Sequence, residues 1–203
     1  TLPAAVALAV IAWPIIHVLY GRGAYGAQDV TNTALALAIY GLGLPAFVLQ
    51  KVWQPLFYAR EDTRRPLNYA VLSMVVNAVV AIGLMPWIGF LAAAWATTLA
   101  AWVMVAQLWW GSRSMGQAVQ VDARLRRRFW RIVLASAIMG AVLFGLHLLL
   151  ADMLVAGASR YIALLVLVGV GIAAYFGTGF AIGALDWADF RSALRRKRAT
   201  PAP

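Results

Sequence analysis

An all-α integral membrane protein with six transmembrane helices is the fold class this sequence predicts, and three observations predict it. The hydrophobic fraction is 64% and only 12% of the 203 residues are charged. With a mean hydropathy of +0.80, that is more apolar surface than a soluble domain of this length can bury. Second, the charges cluster between apolar runs of about 20 residues, the length an α-helix needs to cross the hydrocarbon core. Third, six crossings put fifteen of the 17 Lys and Arg residues on one side of the membrane. Alternating segments of about 10 residues, the mark of a transmembrane β-barrel, do not occur.

The runs cover residues 2–20, 31–50, 67–85, 91–110, 132–150 and 161–185. The first contains Pro14 and a solitary His17. The loop at 21–30 carries one basic residue, Arg22. The second contains Gly41, Gly43 and Pro45, with Pro55 near its end. Each proline removes a backbone hydrogen bond, so kinks are expected at Pro14 and Pro45. The freed carbonyls must find partners or line a wet cavity, and transporters use such broken helices for gating. If this helix runs on to about Tyr58, Lys51 lies two turns inside the membrane. It either snorkels to the interface or faces a cavity that accepts an anionic headgroup.

Basic residues return in the loop at 59–66, with Arg60, Arg64 and Arg65. On the third span, Ser73 and Asn77 share one helical face. An uncharged turn at 86–90 then brings the fourth span back antiparallel, with Thr97 and Thr98 on it. Interhelical hydrogen bonds among these groups would contribute about 0.6–2 kcal/mol each. The same oxygens plus a backbone carbonyl could instead hold Na⁺. Ala92, Ala96 and Ala100 form a small-residue stripe that lets a neighbouring helix approach closely.

The stretch 111–131 holds Arg113, Arg124, Arg126, Arg127, Arg128 and Arg131. With Phe129 and Trp130, the segment from Arg124 to Arg131 reads as a membrane-surface anchor, each basic residue adding about 1 kcal/mol of attraction to anionic headgroups. The fifth span has eleven Ile, Val, Leu or Phe residues, together worth about −3 to −7 kcal/mol of insertion. It carries His147 near one end and small residues at Ser136, Gly140, Ala137, Ala141 and Gly145. After a loop with Arg160 comes the sixth, with Gly169, Ala173, Gly177 and Ala181, and a GxxxG pair at Gly179 and Gly183. These stripes predict close contacts. The organisation is then four helices over 1–110, a basic linker at 111–130, a helix pair over 131–186, and a basic tail at 187–203.

Basic loops stay in the cytoplasm, which predicts cytoplasmic termini. The net charge of +10 therefore needs no nucleic acid, since the basic residues flank spans rather than a reading helix. With no cysteine, thiol chemistry is excluded. No His, Cys or carboxylate cluster has metal spacing, so no metal or cofactor is expected. No nucleophile stands near a base, and the protein is not expected to be an enzyme. The chain opens at Thr1 almost directly inside a span, without a basic region or cleavage site. It reads as the C-terminal part of a longer protein.

Three segments carry a resemblance. Residues 18–25 read Val-Leu-Tyr-Gly-Arg-Gly-Ala-Tyr, and residues 43–48 read Gly-Leu-Pro-Ala-Phe-Val. The most specific is 57–64, Phe-Tyr-Ala-Arg-Glu-Asp-Thr-Arg, before Pro66; Val76-Asn77 and residues 99–102 add to it. Together they resemble the MurJ/MviN family of lipid II flippases, in the multidrug/oligosaccharidyl-lipid/polysaccharide exporter superfamily. The resemblance implies the last six helices of a fourteen-helix, two-lobe bundle in the bacterial inner membrane. It implies alternating-access transport of an undecaprenyl-linked peptidoglycan precursor. It also implies a groove for the polyprenyl tail on the final two helices, and the helices N-terminal to this part as partners. Lys51 matches a cavity lysine of relatives. Asn77, Thr97 and the Ala93 carbonyl match ligands of a sodium site in some members. The position one turn after Asn77, acidic in those members, is Ala81 here, which removes the charge that would offset most of the dehydration cost. An exporter of another lipid-linked oligosaccharide or of a drug, or a non-transporting membrane scaffold, are the alternative functions.

Overall fold

The computed structural model describes residues 1–23, 25–113, 115, 123–155, 157 and 159–184; the side chains of residues 123–125 are outside that set. The described residues form α1 (Leu2–Tyr20), α2 (Ala27–Tyr58), α3 (Arg64–Ile88), α4 (Leu91–Ser112), α5 (Ala123–Leu149), the short α6 (Ala151–Val155) and α7 (Ser159–Ala181). Six of them are long and apolar enough to cross a membrane, as the sequence predicts. The basic tail at 187–203 lies outside the described residues.

The helices pack in the spatial order α3, α4, α2, α1, α5, α7, with α6 against α7 and α1. α1 thus joins a four-helix unit to the C-terminal pair. Pro14 cannot donate to the Val10 carbonyl, and the chain leaves helical geometry at Ile11 (φ −113°, ψ 19°), which is the expected kink. α2 behaves differently. It carries Pro45 and Pro55 within one helix of 32 residues, about 48 Å long. That exceeds the hydrocarbon thickness of about 30 Å, so α2 must tilt or protrude.

Two expected boundaries move. α3 runs through Pro86 to Ile88, and the turn contracts to Gly89 and Phe90. Pro86 sits in the last turn, where few residues follow it, and Gly89 supplies the left-handed φ of 57° that reverses the chain. The basic linker also shortens, because its residues 123–130 belong to α5. Arg and Leu are good helix formers, and no Gly or Pro interrupts them.

The α2–α3 connection is built from the most specific of the three motif segments. The Asp62 N–H donates to the Phe57 carbonyl at 3.1 Å and the Glu61 N–H to the Tyr58 carbonyl at 3.0 Å. This is the double bond pattern of a Schellman ending, and Glu61 occupies its left-handed position at φ 58°. A Cβ there costs about 1–2 kcal/mol relative to glycine. Glu61→Gly is therefore expected to raise the unfolding free energy of the full chain by about 1 kcal/mol, read as a higher melting temperature. An unchanged or lower value would mean that the Glu61 carboxylate holds a contact offsetting the strain. Beside it, Arg65 pairs with Asp62 at 3.1 Å, and Arg60 Nη2 donates to the Met115 carbonyl at 3.0 Å.

Candidate functional site

Small residues decide how closely these helices meet, but only some of the predicted stripes are used. On α4, Ala92, Ala96 and Ala100 are all buried, as expected. On α5, Ser136 and Gly140 are buried, and a Cβ on Gly140 would lie 2.6 Å from Val6 Cγ1 of α1. Ala137 and Ala141 point outward. On α7 the expectation is corrected. Gly169, Ala173 and Gly177 are exposed, and a Cβ on either glycine meets nothing within 4 Å. The contact with α5 instead uses the face carrying Ala163, Leu167 and Gly171, where a Gly171 Cβ would lie 2.9 Å from Leu143 Cδ2. Four-residue spacing marks a face of a helix without saying what covers it.

Gly183 is not half of a helix-packing pair. It lies beyond the end of α7 with φ 69°. The Ala184 N–H donates to the Gly179 carbonyl at 2.8 Å and the Gly183 N–H to the Phe180 carbonyl at 3.2 Å, a second Schellman ending. The carbonyls left over meet the arginine cluster. Arg131 Nη1 donates to the Gly183 carbonyl at 3.0 Å and Arg128 Nε to the Ala184 carbonyl at 3.1 Å. Basic residues oppose the dipole at the start of their own helix. Here they face the negative end of the antiparallel neighbour, which favours them. Arg126 and Arg127 are exposed, and the side chain of Arg124 is outside the described set.

Where α1 meets this pair, a groove of about 520 Å³ opens. Its walls include Ala7 and Ile11 of α1, Met139 and Leu143 of α5, and Gly171 and Ile172 of α7. Every lining residue is apolar or aromatic. Ala7 adds little side chain to the α1 wall, and Gly171 lets Leu143 of α5 pack directly against α7 at its floor. The third wall, from α1, is a feature that the spacing within the final two helices does not contain.

A polar seam joins α3 to α4. Asn77 Nδ2 donates to Thr97 Oγ1 at 3.4 Å, and Thr97 Oγ1 donates to the Ala93 carbonyl at 2.9 Å. The three residues singled out for Na⁺ are thus together in space, with Thr97 Oγ1 bonded to both of the others. They offer at most three oxygens, all neutral, and Ala81 adds none. Nearby, Gln107 Nε2 donates to Ser73 Oγ at 3.3 Å.

A second seam joins α2 to α4 around Pro45. Thr98 Oγ1 donates to the Ile39 carbonyl at 2.9 Å, Trp102 Nε1 to the Leu42 carbonyl at 3.1 Å, and Gln50 Nε2 to the Ala101 carbonyl at 3.0 Å. Trp102 thereby gives the Leu42 carbonyl, three residues before the proline, a partner from the neighbouring helix, and Gln50 returns a bond from α2 to α4. Trp102 and Gln50 escaped sequence reasoning, because nothing in their spacing distinguishes them from interfacial residues. Lys51 follows Gln50 but points elsewhere. It is exposed, about 10 Å short of the end of α2 at Tyr58, on a face with Phe47, Val48 and Val52. The structure joins it neither to the Asn77 seam nor to the arginine cluster.

Comparison with known proteins bears on the family and the fold. The family model described as lipid II flippase MurJ matches residues 1–168. A probable lipid II flippase MurJ from Rhizobium tropici is 40% identical over the whole of this chain and 38% of its own length. One from Rhizobium meliloti is 38% identical over 97% of this chain and 37% of its own length. The solved structure of a lipid II flippase MurJ in an inward closed conformation superposes with a TM-score of 0.69, at 24% identity, over 88% of this chain and 35% of that one. The present chain thus spans less than two fifths of these relatives. Over that span the match leaves one assignment: the chain belongs to the MurJ lipid II flippase family.

Proposed function

We propose that this chain is the C-terminal part of a transporter that moves undecaprenyl-linked peptidoglycan precursor across the bacterial inner membrane, with its arginine-rich face in the cytoplasm. The observation that carries this reading is the apolar groove between α1, α5 and α7. A polyprenyl tail needs an open, wholly apolar channel, and a headgroup exporter without a lipid tail does not. Family membership and the charge asymmetry support the same reading. Lys51, exposed on α2 within the membrane depth, faces the cavity and meets the anionic headgroup. The other contributors to that cavity come from the part of the protein that precedes α1.

Coupling to sodium is not part of this proposal. The Asn77, Thr97 and Ala93 set serves as a hydrogen-bonded lock between α3 and α4. The test is lipid II flipping in liposomes by the full-length protein, this chain together with the part that precedes α1. Flipping is expected, and replacing Na⁺ by K⁺ is expected to leave its rate unchanged. Absence of flipping under an imposed membrane potential or proton gradient would overturn the transport reading. A rate that collapses without Na⁺ would overturn only the lock.

A further inference from the structure

The two basic residues on the arginine-poor face are far apart in sequence and close in space. Arg22 follows Gly21 at the end of α1, and Arg160 lies in the first turn of α7. Arg160 Nη1 reaches the Gly21 carbonyl at 3.5 Å, and Nη2 donates to the Tyr161 hydroxyl at 3.1 Å. The Arg160 guanidinium carbon also lies 5.0 Å from the centroid of the Tyr161 ring. Arg22 adds to the positive field at that hydroxyl. Arg160 Nε is buried and has no partner. A guanidinium has five donors in a fixed fork, so these two bonds leave most of its capacity unused.

Acidic groups do not use it either. On this face, Asp29 accepts from the Gly26 N–H at 3.0 Å, and Asp152 is exposed on α6. Among the described residues, no carboxylate lies within ion-pair distance of Arg22 or Arg160. Arginine on this side runs against the topological bias of membrane proteins, and a buried donor without a partner is costly. A ligand that carries negative charge and accepts from the remaining Nη protons offsets the cost of the two positive charges. Phosphate fits the arginine fork, and the start of α7 contributes its positive end. Tyr20, Tyr25 and Tyr161 surround the pair, and tyrosines of this kind sit at headgroup depth.

We propose that Arg22 and Arg160 form a phosphate site on the arginine-poor face, filled by the headgroup of an anionic membrane lipid. The site ties the end of α1 to the start of α7 through the lipid. It is independent of the transport reading and of the groove, whose lining includes neither arginine.

The test is native mass spectrometry of the full chain extracted from vesicles of phosphatidylglycerol mixed with phosphatidylcholine. Phosphatidylglycerol is expected to be retained preferentially, and Arg22→Gln is expected to reduce that retention about tenfold, the effect of one charge-assisted hydrogen bond. The Arg22 side chain has no hydrogen bond to the protein among the described residues, so this variant keeps the fold. Arg160→Gln should lose more, with Arg160→Lys intermediate because lysine lacks the fork. Equal retention by wild type and Arg22→Gln, at equal melting temperature, would overturn the site. Displacement of the lipid by inorganic phosphate would overturn its assignment to a headgroup and leave a free-anion site.

Discussion

Tryptophan at Ala7 and Ile172 together is expected to slow lipid II flipping by the full-length protein roughly tenfold or more. Both residues line the groove, one from α1 and one from α7. Indole rings at both positions fill the space that a tail would occupy. The magnitude follows from packing rather than from the hydrophobic effect, because a tail leaving the groove enters lipid that is equally apolar. Losing a dozen atom contacts at about 0.1–0.2 kcal/mol each gives roughly 1–2.5 kcal/mol, or about tenfold toward the lower end of that range. Ala9→Trp is the control, since Ala9 is exposed and does not line the groove. It should flip normally. If the double variant also flips normally, the tail does not use this groove.

Gly140→Ala is expected to destabilise the full chain by about 1–3 kcal/mol, the usual cost of overpacking a tight contact. Its new methyl would lie 2.6 Å from Val6 Cγ1, closer than two carbons can sit. Val6 is β-branched and turns with difficulty inside a helix, so the strain passes to the separation of α1 and α5. Adding Val6→Ala should restore most of the loss. The coupling between the two sites, measured as a double-mutant cycle in melting temperature or denaturant midpoint, isolates this one contact. Gly169→Ala supplies the opposite sign. It meets nothing within 4 Å and should gain up to about 1 kcal/mol from helix propensity. A loss there would show that another span of the full protein lies against that face. A neutral Gly140→Ala would show that α1 and α5 do not approach this closely.

The contrast between these two glycines shows what spacing cannot carry. Both lie in four-residue stripes of small residues, and the stripes look alike in sequence. Gly140 meets α1, which is more than a hundred residues away along the chain, while Gly169 meets no described residue. The arginine segment shows the same limit. Its charge made it readable as a surface anchor. That Arg128 and Arg131 reach the carbonyls ending α7 depends on the antiparallel return of the chain. Asn77, Thr97 and Ala93 were legible as a set because they lie on consecutive antiparallel helices joined by a tight turn. How they share their hydrogen bonds was not.

The sequence alone determined the class, the number of spans, and the sorting of basic residues to one side. These are properties of a helix in a bilayer, where length, hydropathy and flanking charge act locally. The three motif segments also carried the family. Tertiary structure decided the rest. It chose which small residues touch, brought α1 in as the third wall of the groove, moved Gly183 from a packing role to a helix ending, and set Arg160 against the Gly21 carbonyl beside Arg22. The physical reason is that every surface of these helices is apolar enough for lipid. Hydropathy therefore cannot tell a face that meets another helix from one that meets a tail, and only close packing between distant parts of the chain makes that choice.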